Sequence, residues 1–357
     1  MTPLSHILHT HIAKTGPIPV GDFMRLAMQH PEFGYYRHGD PLGQGGDFIT
    51  APEISQMFGE MIGLWCADVW QQMGKPDEFI LLEMGPGRGT LMQDVLRATA
   101  KISDFHQALN LYLLESSETL RTIQKEKLDA FHPHYINDLS QLPALPLLTV
   151  ANEFFDALPI RQFEKSFQGW CERLVSVEAD AFAFTLSPPD EALLLLIPEA
   201  MRDTNPGAVF ELSPASINLT RDLAQHITRH GGAGLIIDYG YVAPDGKPTL
   251  QAVANHRYAD VLANVGEADL TALFDFGMAQ RAAMKQGAVT HGPIGQGEFL
   301  KTLGIELRAD QLKRRATEQQ IHAIDSALRR LTDPSEMGSL FKALAIASPD
   351  LTELVGF

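Results

Sequence analysis

The sequence predicts an α/β protein, a Rossmann-like, mostly parallel sheet with an additional smaller lobe, on three observations. Short apolar runs alternate with helical segments. One of these runs passes through a glycine-rich loop straight into a helix. The chain's 357 residues also exceed the usual size of one domain.

The apolar runs lie at 79–84, 111–115, 147–151 and 235–238, with helices expected at about 90–100 and 214–229. Strands joined through helices form βαβ units and hence a mostly parallel sheet. Ahead of them, Ile54, Met57, Phe58, Met61, Ile62, Trp65 and Val69 recur at helical spacing. They predict a helix over about 52–73, opened by Thr50-Ala51-Pro52-Glu53 read as a capping box. A β-rich insert is expected near 160–187 and helices near 310–331 and 334–346. Three divisions follow: an N-terminal helical segment and long loop at 1–50, a Rossmann-like core at 51–245, and a C-terminal lobe at 246–357.

Hydrophobic residues make up 45% and charged residues 20%, the composition of an ordinary globular protein. The formal charge of -16 offers no footprint for nucleic acid or anionic lipid and suits a basic partner better. Two cysteines, Cys66 and Cys171, cannot build a disulfide framework or a multi-cysteine metal site. No stretch has the length and apolarity of a membrane span, and the N-terminus reads as neither a signal nor a transit peptide. Stable membrane insertion is therefore not expected, and the chain is read as cytoplasmic, of bacterial type.

The glycine loop Gly85-Pro86-Gly87-Arg88-Gly89 follows Glu83 at a strand end and opens a helix. Glycines permit a tight turn and close ligand approach, and the helix N-terminus presents free N–H groups. A dinucleotide fingerprint spaces its glycines G-x-G-x-x-G, whereas the spacing here is G-x-G-x-G. Glu83 would repel a pyrophosphate but attract the sulfonium and ammonium of S-adenosyl-L-methionine. Glu115, ending the next strand, stands where a doubly wound fold offers a carboxylate to a ribose diol. The bland alternative is a plain strand-to-helix turn beside a solvated strand end.

In such a fold ligands lie beyond the carboxyl ends of the strands. The strand ending at 151 delivers Asn152-Glu153-Phe154-Phe155-Asp156 to that edge. Glu153 is the first choice to face the transferred methyl, with Asn152 and Asp156 beside it and Phe154 or Phe155 shaping the pocket. A carboxylate suits a guanidinium acceptor, whose lone pair is delocalised and whose proton is tightly held. Helix capping by Asn152 and turn closure by Asp156 are the competing structural roles. Asp238-Tyr239-Gly240 could line the same edge or form a tight turn. His9/His11 and His132/His134 have no carboxylate or thiol cluster, so no metal is expected. No serine-hydrolase elbow occurs.

With these residues in place, the sequence resembles the MidA family of mitochondrial and bacterial methyltransferases, which in mitochondria are associated with assembly of respiratory complex I. The likeness rests on GDFITAPEISQMFGE at 46–60, EMGPGRGTL at 83–91, NEFFDALP at 152–159, DYG at 238–240, ADLTALFDF at 268–276 and GPIGQGEFLKTLGI at 292–305. Met84 stands where relatives usually carry leucine. The resemblance implies a class I methyltransferase fold with an additional lobe, arginine methylation of a protein such as a complex I subunit, and a homodimer as a possible assembly. It also places Gly46, Asp47 and Thr50 in the cofactor pocket, with Asn152 shared between cofactor and acceptor. A binding protein that holds the cofactor without turnover, a small-molecule methyltransferase and an aminopropyl transferase are the competing functions.

Overall fold

The computed structural model describes residues 2–37, 50–254 and 257–357. The chain opens with α1 (Pro3–Thr15), the short strand β1 (Ile18–Pro19) and α2 (Val20–Gln29). Thr2 caps α1 by accepting from the Ser5 N–H. Next come α3 (Ala51–Ile54) and α4 (Gln56–Gln72), where one helix had been expected over 52–73. Ser55 is extended and its hydroxyl accepts from the Met57 N–H, so the polar cap ends one helix and starts the next.

The core then alternates as expected. In order follow β2 (Phe79–Met84), α5 (Thr90–Thr99), α6 (Ser103–Ala108), β3 (Leu109–Leu114), α7 (Glu118–Leu128), β4 (His134–Ile136) and β5 (Leu147–Asn152). The insert forms β6 (Arg161–Lys165), β7 (Trp170–Glu178) and β8 (Ala181–Leu186), followed by α8 (Glu199–Arg202) and β9 (Val209–Leu212). The chain re-enters the core with α9 (Pro214–His230) and β10 (Gly232–Tyr241). Short strands β11 (Gln251–Ala254), β12 (Arg257–Ala259), β13 (Asp269–Thr271) and β14 (Phe274–Asp275) precede α10 (Phe276–Met284) and β15 (Val289–Gly295). The last elements are α11 (Gln296–Thr302), α12 (Ile305–Lys313), α13 (Glu318–Thr332), α14 (Met337–Leu340) and β16 (Phe341–Ala347).

The main sheet runs β15-β16-β10-β5-β2-β3-β4, with β14 beside β10. Strands β10, β5, β2, β3 and β4 are parallel to one another, and β16 is antiparallel to both β10 and β15. The strand order reverses between β2 and β5, which places the ligand crevice beyond their carboxyl ends.

The segment at 334–346 corrects the reading of a second C-terminal helix, because all but its first residues form α14 and the strand β16. Ala343 to Ala347 are buried on both faces of the sheet, and a fully buried strand is a continuous apolar run that periodicity cannot separate from a buried helix. Strands β15 and β16 thereby draw residues beyond 245 into the main sheet.

Alternation along the strands sends side chains to two opposite layers. Leu81, Leu111, Leu113, Leu148 and Val150 pack under α4, α5 and α11–α13. Ile80, Leu82, Met84, Leu147 and Ile236 pack under α9 and α10. Each fully buried Leu or Ile contributes about 1.5–3 kcal/mol. The smaller lobe is antiparallel: β1-β7-β6-β9 with β8 on β7, plus β12-β11-β13. Helices α1 and α2 seal it through Leu4, Leu8, Phe23 and Met24 against Val175 and Leu270.

Candidate active site

Strand parity gathers the candidate residues. Glu83 shares a face with Leu81, Glu115 with Leu113, and Asn152 with Val150, so all three project from the carboxyl edge toward the α4–α5 layer. All three are buried.

Glycines 85, 87 and 89 adopt φ of +67°, +52° and +75°. These left-handed values explain three glycines at alternate positions. A Cβ at Gly85 would stand 2.6 Å from the Phe154 ring, so Phe154 packs directly over the loop. Gly89 is the N-cap of α5 and has no side chain to fill the helix mouth.

Glu83 is 3% exposed and its Oε2 has no hydrogen-bond partner among the described residues. Burial pushes its carboxyl up to about 8, opposed by a Met92 backbone hydrogen bond and reinforced by the Glu115 charge. Glu115 accepts from the Ser117 N–H at 2.7 Å and from Gln124 Nε2 at 3.2 Å. A carboxylate has about four lone-pair sites, which leaves acceptor capacity for a diol. Burial raises its pKa.

Gln124 was not among the sequence candidates. Fully buried on α7, it bridges Glu115 to the glycine loop by donating to the Gly87 carbonyl at 2.7 Å, and its Oε1 is unpartnered. The available signal was a lone amide within the apolar stripe Leu120, Gln124, Leu128.

Thr50 and Glu53 do not form the expected capping box, for the Thr50 side chain makes no cap bond. Glu53 Oε1 instead accepts from the Thr90 hydroxyl at 2.6 Å, tying α3 to the start of α5. The first N–H of α3, from Ala51, is taken by Glu153 Oε1 at 3.1 Å, so a residue 102 positions away caps this helix. Gly46 and Asp47 lie outside the described residues.

Beyond β5 the chain turns sharply. Glu153 has φ +49° and its N–H still extends the ladder to the Ile237 carbonyl. Left-handed backbone at a non-glycine residue costs about 1 kcal/mol or more and is held only where surroundings dictate it. Glu153 Oε1 also accepts from Asn152 Nδ2 at 3.0 Å, while its other oxygen makes no hydrogen bond among the described residues. Loss of water around the carboxyl pushes it up to about 7, against the Ala51 hydrogen bond. Asn152 Oδ1 is buried without a partner. Its predicted competing role, a helix cap, is not seen.

Asp156 is buried, accepts from the Tyr239 hydroxyl through Oδ2 and leaves Oδ1 unpartnered. Burial pushes it up to about 6, opposed by the Tyr239 bond. Asp238 is fully buried and accepts from the backbone N–H groups of Phe155 at 3.0 Å, Asp156 at 3.2 Å and Tyr239 at 2.9 Å. It holds the 153–156 turn in place. Burial and the nearby Asp156 and Glu153 carboxyls raise its pKa, so this group of acids carries less than its full charge. Strand β10 runs on through Tyr241, so Asp238-Tyr239-Gly240 is strand rather than turn. Tyr239 packs on Phe341 at 5.2 Å.

Asn152 Oδ1, Asp156 Oδ1, Glu83 Oε2 and Gln124 Oε1 are thus buried acceptors that meet no donor among the described residues. Such groups cost free energy until donors arrive. Among the described residues no group of three His, Cys, Asp or Glu side chains could hold a metal ion. Nor is any described helix long and apolar enough to cross a membrane.

Comparison with known proteins agrees with this geometry. Residues 61–294 match the model of a family described as S-adenosyl-L-methionine-dependent methyltransferase. The protein arginine methyltransferase NDUFAF7, mitochondrial, of Homo sapiens is 36% identical over 380 residues, covering 97% of this chain and 83% of that one. Its Xenopus tropicalis counterpart is 35% identical, covering 96% and 85%. A crystal structure of a protein from Burkholderia thailandensis bound to S-adenosyl-homocysteine is 28% identical, with a TM-score of 0.85 over 99% of this chain and 93% of that one. The chain belongs to this family of S-adenosyl-L-methionine-dependent methyltransferases.

Proposed function

We propose that the protein methylates an arginine side chain of a protein substrate, with a respiratory complex I subunit as the first candidate. The observation that carries this reading is the set of unanswered acceptors at the 152–156 turn: the free oxygen of Glu153 and the Oδ1 atoms of Asn152 and Asp156, which meet no donor among the described residues. A guanidinium is the complementary group, with five N–H donors in a planar fork and no acceptor. The relatives named protein arginine methyltransferase support the same choice.

The cofactor fits the other half of the edge. Gly85, Gly87 and Gly89 leave room for close approach, Glu83 Oε2 awaits a donor or cation, and Glu115 has acceptor capacity for a diol. Thr50 and Asn152 flank it, and Gly46 and Asp47 are assigned to the same pocket from the family motif. When bound, S-adenosylmethionine supplies a sulfonium methyl group and departs as a neutral thioether holding the electron pair of the broken carbon–sulfur bond.

The chain's own residues then position and deprotonate. Glu153 and Asn152 fix the acceptor nitrogen, and positioning can contribute most of the rate of such a displacement. Asp156, oriented by Tyr239, pairs with the remaining guanidinium donors. As the new nitrogen–carbon bond forms, the free oxygen of Glu153 takes the proton shed by nitrogen.

Transfer of a tritiated methyl group from S-adenosylmethionine to purified complex I subunits tests the reading. Label recovered as methylarginine, and lost with Glu153→Gln while S-adenosylhomocysteine still binds, is the expected result. Cofactor binding with no methylated product would instead assign a non-catalytic assembly role.

A further inference from the structure

A cavity of about 570 Å³ opens beside the glycine loop, lined by Glu53, Ile54, Arg88, Ala323, Ser326, Ala327 and Arg330. Its far wall is one face of α13, because residues 323, 326, 327 and 330 are spaced three and four apart. Three of the four are small, and the fourth is an arginine.

Arg330 differs from the other cations nearby. Arg329 pairs with Glu336 at 3.1 Å, Lys313 with Asp325 at 2.5 Å and Arg308 with Glu60 at 2.7 Å. Arg330 is half-buried and makes no hydrogen bond or ion pair among the described residues. Its charge is felt at Glu153, whose pKa it lowers. Arg330 therefore lies within electrostatic reach of the acceptor turn. The cavity is also bounded by α3, whose first N–H holds Glu153. The one carboxylate among its described lining residues, Glu53, is engaged by Thr90. In a chain of net charge -16, a half-buried guanidinium with no ion pair or hydrogen bond among the described residues is poised for an incoming anion.

We propose that this cavity is the docking groove for the substrate segment next to the methylated residue, and that Arg330 selects a glutamate or aspartate there. The pairing is fork to carboxylate, the geometry in which an arginine discriminates most strongly. This inference rests on the protein-substrate reading above. It adds a sequence preference to it: an arginine at the acceptor turn, and an acid in the groove.

Binding selection tests both parts separately. Full-length protein saturated with S-adenosylhomocysteine is incubated with bead-displayed libraries of eleven-residue peptides carrying a fixed central arginine or a fixed central alanine, all other positions being random. Wild type should enrich Asp and Glu by about tenfold at one position near the centre, the factor expected of one charge-assisted pair. Arg330→Glu should replace that preference by Lys and Arg at the same position, and Arg330→Lys should retain a weaker acidic preference. Absence of enrichment in wild type, or acidic enrichment that survives in Arg330→Glu, overturns the proposal. So does a loss of S-adenosylhomocysteine affinity in Arg330→Glu by calorimetry, which would move Arg330 to the cofactor. Retention of arginine-centred and alanine-centred libraries alike would refute the acceptor reading instead, while leaving the acidic preference measurable.

Discussion

Replacing Glu83 by glutamine keeps the side chain's shape and removes only its ionisable proton. In the free protein, burial and the neighbouring Glu115 hold this carboxyl at about 8, and Oε2 has no partner. At pH 7 such a group is about 90% protonated. If S-adenosylhomocysteine, through its ammonium, requires the carboxylate, binding at pH 7 releases about 0.9 proton. Affinity then rises roughly tenfold per pH unit below 8. Calorimetric titrations in buffers of different ionisation enthalpy count that proton directly. The Glu83→Gln variant should release about 0.9 proton fewer and bind with a flatter pH dependence.

Stability supplies a second readout with a fixed sign. A carboxyl raised in the folded state stabilises fully only below its unfolded pKa near 4.5, and the contribution is lost as pH rises through about 8. At pH 7 the loss is roughly 3 kcal/mol at most, so Glu83→Gln should unfold at higher denaturant than wild type at pH 7 and show less of this pH dependence. Equal proton release in variant and wild type would refute the placement of Glu83 at the cofactor.

Three further outcomes follow from the geometry. Gly85→Ala combines a left-handed φ with a Cβ 2.6 Å from Phe154, so it should cost about 2 kcal/mol in denaturant unfolding and displace the acceptor turn. Gly16→Ala shares the positive φ but meets nothing within 4 Å and should cost less. Gln124→Leu removes the bridge between Glu115 and Gly87 and should weaken S-adenosylhomocysteine binding about tenfold, with Gln124→Glu weaker still because it sets a second carboxylate against Glu115. With Glu153 at about 7 and the proposed proton acceptor in its carboxylate form, kcat/KM should climb with pH and level off above 7. Any residual activity of Glu153→Gln should lack that inflection, and an unchanged pH profile would remove Glu153 from proton transfer.

Much of this site was legible because it is built on regular structure. Glu83, Glu115 and Asn152 end three neighbouring parallel strands, and apolar runs with alternating packing fix both their edge and their face. The contacts that crossed the fold were not legible. Local spacing promised a Thr50–Glu53 box, yet the Ala51 N–H goes to Glu153 and Glu53 goes to Thr90, partners set by tertiary approach. Asp238 read as a possible pocket residue, but three backbone N–H groups make it the support of the 153–156 turn. β16 was hidden for another reason: buried on both faces, its Ala-Leu-Ala-Ile-Ala run shows no period at all. Gln124 shows the reverse, an anomaly within a helical stripe whose meaning emerged only when its carbonyl and carboxylate partners were seen.

The central claim is that the acceptor-lined turn methylates arginine. Its most direct test is quantitative mass spectrometry of arginine methylation in cells that lack the protein, restored with either wild type or Glu153→Gln. The account predicts at least one arginine site, on a protein segment, whose methylation disappears in the deleted strain and returns only with wild type. A methylarginine profile identical in all three strains would contradict it.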